Sequence, residues 1–349
     1  MNITPVASAT HEEVYRVEDA DSGLIGFIAI HSTTLGPAAG GLRMRPYDSE
    51  EAALTDALRL SEGMTYKNAA AGLRLGGGKA VIMGDPATLK TPALLHAFGR
   101  AVDACEGRYW TAEDMGMSPS DMAELAKETR YVAGLADGAF ASGDPSPITA
   151  RGIFNAICRV ALHQFGDADL TGRTVSVQGL GNVGWNLCGL LTEAGASLIV
   201  TDIDADRVAK AQTTFGAKAV GLDDIYAVAA DIFAPCAIGG ILNADTIPQL
   251  RVKAVAGGAN NQLATHADAD LLAKRGILYA PDFVANGGGI INVATEVLKI
   301  EGRVAWVAKK LVALDETMEA ILTEAEKQGV SPAAIAQDVV AKTIKARAA

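Results

Sequence analysis

Positive charge, aromatic rings, paired cysteines and long apolar runs are all in short supply in this chain of 349 residues. Lysine and arginine together number 30 against 41 acidic residues, a formal net charge of −11. Such a surface repels phosphate backbones and anionic lipid, which argues against a nucleic-acid or membrane partner. Aromatic residues are only 5% of the chain, while apolar residues reach 49% and glycines number 37, a composition of an alanine- and glycine-rich α/β enzyme more than of a disordered chain or a β-sandwich. No apolar run approaches the ~20 residues of a membrane span. Residues 1–10 show neither the basic start nor the apolar stretch of a secretory signal, so a soluble cytoplasmic protein is expected. The four cysteines, Cys105, Cys158, Cys188 and Cys236, lie far apart and read as structural thiols. The five histidines, His11, His31, His96, His163 and His266, are equally scattered, which leaves no metal pair and no cysteine–histidine nucleophile. At ~150 residues per domain the length suits two domains.

Residues 23–31 alternate and run apolar like a strand. Asp48, Ser49 and Glu51 supply a helix start ahead of Ala53, Leu54, Ala57, Leu58 and Met64, so a helix is expected to lead toward Lys67. After Gly76-Gly77-Gly78, residues 79–83 form a short apolar segment ended by Gly84-Asp85-Pro86. Lys79 is therefore expected to open a buried strand beside a glycine loop. Turn residues gather at 142–147, where a domain boundary is expected. Beyond it, strand-like segments at 174–178, 198–201, 231–233, 254–256 and 277–280 alternate with helical ones, the pattern of a mostly parallel, doubly wound sheet. Two long helical segments follow at about 289–299 and 304–326, then a last helix after Ser331-Pro332. The expected division is 1–143 and 144–330, with 331–349 packing back on the first domain.

Gly179-Leu180-Gly181-Asn182-Val183-Gly184 reads G-x-G-x-x-G, which alone is weak in so glycine-rich a chain. Its context strengthens it: a strand precedes it, a helical run follows, and a second strand ends at Asp202. Gly179 would permit the tight turn, Gly181 the approach of a pyrophosphate, and Gly184 close helix packing, with the helix amino terminus facing the phosphates. Asp202 would accept from ribose hydroxyls and repel a 2′-phosphate, favouring NAD over NADP.

In the first half, Gly40-Gly41 before Arg43, Lys67 and Lys79 set glycines beside single charges. Solvated punctuation is one reading of each. Lys67 and Lys79 are, however, flanked by apolar residues, and desolvation with mutual repulsion would lower the pKa of one or both, making a base available near neutral to mildly alkaline pH. Glu113 and Asp114 add a carboxylate pair in an apolar setting.

These segments resemble the glutamate/leucine/phenylalanine/valine dehydrogenase family, most closely its leucine-acting branch. The resemblance rests on residues 34–41, 63–70, 76–79, 111–114, 234–237, 259–263 and 279–282, with Asn182 inside the glycine motif, and spans nearly the whole chain. It implies two α/β domains: an amino-terminal substrate and oligomerisation domain, and a Rossmann-type NAD domain with the active-site cleft between them. It further implies that Lys67 holds the substrate carboxylate with Gly40, Gly41 and Asn261, that Lys79 is the catalytic base, and that Asp114 carries protons to and from the amino group. Thr149, Cys236, Ala237, Asn260 and Asn286 would accompany the nicotinamide half of the cofactor, with Val183 and Ile203 also on the cofactor side. No metal is implied.

The glutamate-acting branch has lysine and serine where this chain has Ala39 and Val293, so a side-chain carboxylate would find no partner here. Ala112, Ile290, Val293 and Met64 would form an apolar pocket for leucine, isoleucine or valine. Alanine at position 39 is a trait of the phenylalanine-acting branch, whereas Ala112 is of the leucine type. The expectation is NAD-dependent oxidative deamination of a branched-chain L-amino acid to its 2-oxo acid and ammonium by a homo-oligomer, at least a dimer. An aromatic amino acid is the alternative substrate, and a non-catalytic NAD-sensing protein the remote one.

Overall fold

The structure, a computed structural model, describes residues 1–348. The chain divides into two compact units. One holds Met1–Asp144, Ile290–Val307 and the chain from Thr343 onward; the other holds Pro145–Gly289 and Ala308–Lys342. The division differs from the contiguous one expected, because residues 290–307 join the first unit. The helix after Pro332, expected to pack on the first domain, belongs to the second unit as far as Lys342.

The first unit is built on a mixed six-stranded sheet. Its strands are β1 (Asn2–Pro5), β2 (Glu13–Asp19), β3 (Leu24–Ser32), β4 (Ala38–Arg45), β5 (Gly76–Met83) and β6 (Tyr109–Glu113), in the order β1-β2-β3-β5-β4-β6. Helix α1 (Glu50–Ala70) packs on β5. Its start is fixed by Ser49, whose hydroxyl accepts from the Ala52 N–H and satisfies one orphan donor of the first turn. The buried side of α1 carries Ala53, Ala57, Ser61, Thr65 and Asn68, all small or short, so the helix lies close to the sheet. That closeness corrects one expectation. Gly76, Gly77 and Gly78 form no loop; they are the first residues of β5. Interior glycine weakens a strand by propensity, but here no side chain has room. A Cβ on Gly77 would collide with Thr65, and one on Gly78 would come within 2.7 Å of the Tyr109 ring.

Short helices α2 (Pro86–Leu89), α3 (Pro92–Asp103) and α4 (Pro119–Leu125) complete the amino-terminal part of this unit. Leu94, Phe98 and Val102 of α3, with Met122 and Leu125 of α4, share a core with Ile28, Ile30, Leu42, Ile82 and Tyr109 of the sheet. A smaller core of Val14, Phe27, Ala29 and Val81 with Ala53 and Ala57 lies under α1.

The second unit carries β7 (Thr174–Gln178), β8 (Ser197–Thr201), β9 (Lys218–Ala219), β10 (Ile232–Pro235), β11 (Ala254–Val255) and β12 (Leu278–Tyr279). All pairings are parallel, in the order β12-β11-β10-β7-β8-β9. This is the 3-2-1-4-5-6 order of a dinucleotide-binding sheet, whose reversal lies beside its first strand, here β7. Helices α5 (Ser146–Phe165), α6 (Asn182–Glu193), α7 (Ala205–Phe215), α8 (Ala267–Lys274) and α9 (Asp282–Ala285) connect and cover it. Phe233, Val255, Leu242, Leu272 and Tyr279 are among its buried core. The chain passes from one unit to the other first at Asp144–Pro145 and then within each of three further helices, α10 (Gly288–Val297), α11 (Arg303–Gln328) and α12 (Pro332–Ala348). No helix of the described residues is long and apolar enough to cross a membrane.

Candidate active site

In the first unit, β5 brings Lys79 into the sheet with 6% of its surface exposed. Its ammonium forms an ion pair with Oδ2 of Asp114, the residue that follows β6. Gly41 makes room for that carboxylate, since a Cβ there would lie 2.7 Å from the Asp114 Cβ. Arg43 reaches the same oxygen from β4, its Nε at 3.2 Å, while its Nη1 donates to Asp56 of α1 at 3.1 Å. The Tyr47 hydroxyl also donates to Asp56, at 2.8 Å. Two cations and two carboxylates thus alternate over the sheet.

Burial pushes the Lys79 ammonium below the ordinary lysine value, and the neighbouring guanidinium of Arg43 acts in the same direction; Asp114 and Asp56 oppose them. Burial alone would raise the Asp114 carboxyl, but Lys79 and Arg43 hold it at about 2. The expected partner in repulsion was Lys67. The like charge that depresses Lys79 is Arg43, two residues beyond the glycine pair. Among the described residues no group of three or more histidine, cysteine, aspartate or glutamate side chains could hold a metal ion.

The other substrate-side candidates fall around this cluster or on separate elements. Gly40 and Ala39 lie in β4 and Ala112 in β6, where Gly41 is paired with Ala112. The Tyr109 hydroxyl donates to the Gly40 carbonyl at 2.9 Å, and a Cβ on Gly40 would stand 3.1 Å from Met64 Cγ of α1. Lys67 occupies the last turn of α1, half-buried. Ile290 and Val293 lie three residues apart on α10, both half-buried. Two further polar groups on that helix were missed from sequence. Glu296 accepts from the Gly134 N–H at 2.8 Å and the Leu135 N–H at 3.3 Å, and Asn292 donates to the Ser142 carbonyl at 3.1 Å, so α10 is tied to the loop after α4. Asn261, expected to assist Lys67, belongs to the second unit, where it is exposed with a left-handed φ of 51°.

In the second unit the cofactor candidates gather at the carboxyl ends of the parallel strands. Gly179 follows β7 with φ 95°, and a Cβ on it would meet Ala237 at 2.8 Å. Gly181 caps α6 without a side-chain hydrogen bond, so the amides of Asn182, Val183 and Gly184 open the helix. A Cβ on Gly181 would find only Arg207, at 3.9 Å, whereas one on Gly184 would collide with the Gly179 carbonyl. Asp202 follows β8 and accepts from the N–H groups of Leu180 at 2.5 Å and Asp204 at 2.8 Å, which points its carboxylate at the glycine turn. Ile203 beside it is 89% exposed. Cys236 follows β10, and burial pushes its thiol up to about 11, so it is no thiolate nucleophile. Asn286, buried, donates to Asn260 Oδ1 at 2.8 Å, and its own Oδ1 is buried without a partner. Thr149, in the first turns of α5, donates to the Pro145 carbonyl at 2.9 Å and lies against Gly289.

This geometry agrees with comparisons to known proteins. Residues 11–131 match the dimerisation domain of the Glu/Leu/Phe/Val dehydrogenases, and residues 142–212 and 200–347 match the model named Glutamate/Leucine/Phenylalanine/Valine dehydrogenase. The chain belongs to the glutamate/leucine/phenylalanine/valine dehydrogenase family. It is similar to the leucine dehydrogenase of Geobacillus stearothermophilus, 50% identical over 332 residues that cover 95% of this chain and 90% of that one. A phenylalanine dehydrogenase of Caldalkalibacillus thermarum is 47% identical over 343 residues, 97% of this chain and 92% of its own. The crystal structure of L-tryptophan dehydrogenase from Nostoc punctiforme is also similar, with a TM-score of 0.85, 43% identity and 97% of each chain covered. As a member of this family the chain is an NAD(P)-dependent amino-acid dehydrogenase, an oxidoreductase of the two-part α/β fold expected from sequence.

Proposed function

We propose that the chain oxidises a branched-chain L-amino acid, leucine, isoleucine or valine, to its 2-oxo acid and ammonium with NAD, reversibly, as a homo-oligomer. The observation that carries this reading is the pairing of buried Lys79 with half-buried Asp114 among glycines, a charged couple of perturbed proton affinities. A dimerisation-domain match supports the assembly.

The second unit suits a dinucleotide. The position of a Gly181 Cβ is open, the first amides of α6 are uncapped, and Asp202 stands where ribose hydroxyls would donate and a 2′-phosphate would be repelled. Gly179, Gly181, Asn182, Val183, Gly184, Asp202 and Ile203 would hold the adenosine and pyrophosphate half. Thr149, Cys236, Ala237, Asn260 and Asn286 would hold the nicotinamide half. When bound, the nicotinamide supplies the hydride acceptor for the substrate Cα.

The chain's own residues do the rest. Lys67, with Gly40 and Gly41, fixes the substrate carboxylate and so the position of Cα. The substrate ammonium first gives up a proton through Asp114, and loss of hydride from the free amine leaves an iminium at Cα. Neutral Lys79 takes a proton from water as the water oxygen bonds to that carbon. Asp114, held ionised, takes the proton from the Lys79 ammonium only in passing and hands it to the carbinolamine nitrogen. The C–N bond then breaks, the amine leaves with its electron pair, and Lys79, neutral again, takes the carbinol proton as the carbonyl forms. Met64, Ala39, Ala112, Ile290 and Val293 offer no partner for a charged side chain.

NADH formation across leucine, isoleucine, valine, phenylalanine, tryptophan and glutamate tests the substrate. The aliphatic amino acids are expected to turn over fastest and glutamate to be almost inert. The alternative of an aromatic substrate is favoured by the small side chain of Ala39, and faster turnover of phenylalanine than leucine would establish it in place of the aliphatic one.

A further inference from the structure

Arg43, a charge beside the Gly40-Gly41 pair, has no part in the mechanism above, yet it is the link between α1 and the reacting pair. Its guanidinium is 14% exposed, as is the carboxylate of Asp56 that anchors it. Nη1 is committed to Asp56 Oδ2 at 3.1 Å and Nε to Asp114 Oδ2 at 3.2 Å, the same oxygen that Lys79 meets. Asp56 is in turn held by the Tyr47 hydroxyl at 2.8 Å. A planar guanidinium with two donors used on two elements fixes direction as well as charge.

We propose that Arg43, anchored by Asp56, is a positioning residue of the reaction: it fixes the Asp114 carboxylate through Oδ2 and places a second cation next to the Lys79 ammonium. The inference rests on the reading of Lys79 and Asp114 given above. A cation beside Lys79 makes its proton easier to lose, and Asp56 limits that effect. The other ionisable groups on the elements around the pair are Tyr109 and Glu113 on β6, His31 on β3, Arg45 on β4, and Glu50, Glu51, Arg59, Glu62, Tyr66 and Lys67 on α1. Tyr109 is kept protonated by burial, and Glu113 is raised by burial and by the charges of Asp121, Asp144 and Asp114. Burial also keeps His31, which is bonded to Thr65 at 2.7 Å, below its ordinary value.

Oxidative deamination requires neutral Lys79, so its rate rises with pH as Lys79 loses its proton. Removing the Arg43 cation favours the ammonium and moves that rise to higher pH. Removing the Asp56 anion moves it to lower pH. The experiment is the pH dependence of kcat with leucine and NAD for the parent, Arg43→Gln, Arg43→Lys and Asp56→Asn, with NADH binding as the control for folding. Arg43→Gln should lower kcat by about 10²-fold and move the rise up by about one pH unit. Arg43→Lys should return the rise to lower pH but leave kcat reduced, because an ammonium lacks the two-armed geometry. Asp56→Asn should move the rise down. An unmoved rise in Arg43→Gln, or displacement of both variants in the same direction, would overturn the assignment. If Arg43→Gln fails to bind NADH, Asp56→Asn decides alone: a downward displacement supports the proposal and an unmoved rise overturns it. Lys79→Ala separates the two levels of the argument. A fully active Lys79→Ala sinks the reading of the pair, whereas an inactive one with an unmoved Arg43→Gln profile sinks only the role of Arg43.

Discussion

In the first unit the groups of interest are long charged side chains driven into a sheet, whereas in the second they are backbone amides and short residues left at the ends of strands. Lys79 and Arg43 come from the middle of β5 and β4, and their charges persist only because carboxylates stand against them. Gly179, Gly181 and Asp202 come just after β7 and β8, where the strand order reverses and the helix amides are unpaired. Substitutions in the first unit should therefore change proton affinities and rate. Those in the second should change binding and cofactor choice while leaving the pH dependence alone.

The hardest test of that contrast is Lys79→Ala. Loss of a general base is expected to lower kcat by about 10²–10⁴-fold, with NADH affinity, measured by fluorescence, unchanged. Turnover within tenfold of the parent, about 1.4 kcal/mol of barrier, would show that Lys79 is not the base. Next in size is Asp202→Asn. Hydrogen bonds to a charged group are worth about 1.5–3 kcal/mol, so kcat/KM for NAD should fall by roughly 10–100-fold, with a smaller loss for NADP. Comparable kcat/KM for NAD and NADP in the parent would remove Asp202 from cofactor choice. A smaller effect is expected when Ala39→Lys is combined with Val293→Ser. Activity on leucine should fall by about tenfold or more, since a buried ammonium beside an aliphatic substrate is costly. An unchanged leucine kcat/KM would place both residues outside the side-chain pocket. The finest test is the pH profile itself. Because Lys79 is depressed by burial, the rate should rise through a pKa below the ordinary lysine value of 10.5, and Asp202→Asn should leave that rise in place.

The second unit was largely legible from sequence because its information is local. Turn glycines, a strand before them, a helix after them and an acid at the next strand end occur in a fixed order between Thr174 and Asp202. What escaped was β9, two residues long and too short to show a period. The first unit was harder because its information is not local. The glycines of β5 read as a loop by propensity, and only the approach of Thr65 and Tyr109, from other elements, explains why they lie in a strand. Arg43 and Asp56 are 13 residues apart on a strand and a helix, a spacing that no periodic pattern marks. The lysine pKa was expected to fall, for the right reason of burial, but the neighbouring cation came from β4.

The ties between α10 and the loop after α4 bear on the order in which the molecule can be made. Ser142 is 2% exposed, and its carbonyl is met by Asn292 and Arg303, while the amides of Gly134 and Leu135 are met by Glu296. The Gly134–Glu296 pair joins residues 162 positions apart. A nascent chain that has emerged only to Asp144 holds every strand of the first sheet yet lacks the side chains that meet those backbone groups. The first unit is therefore complete only once residues beyond 290 have been made, after the whole parallel sheet of the second.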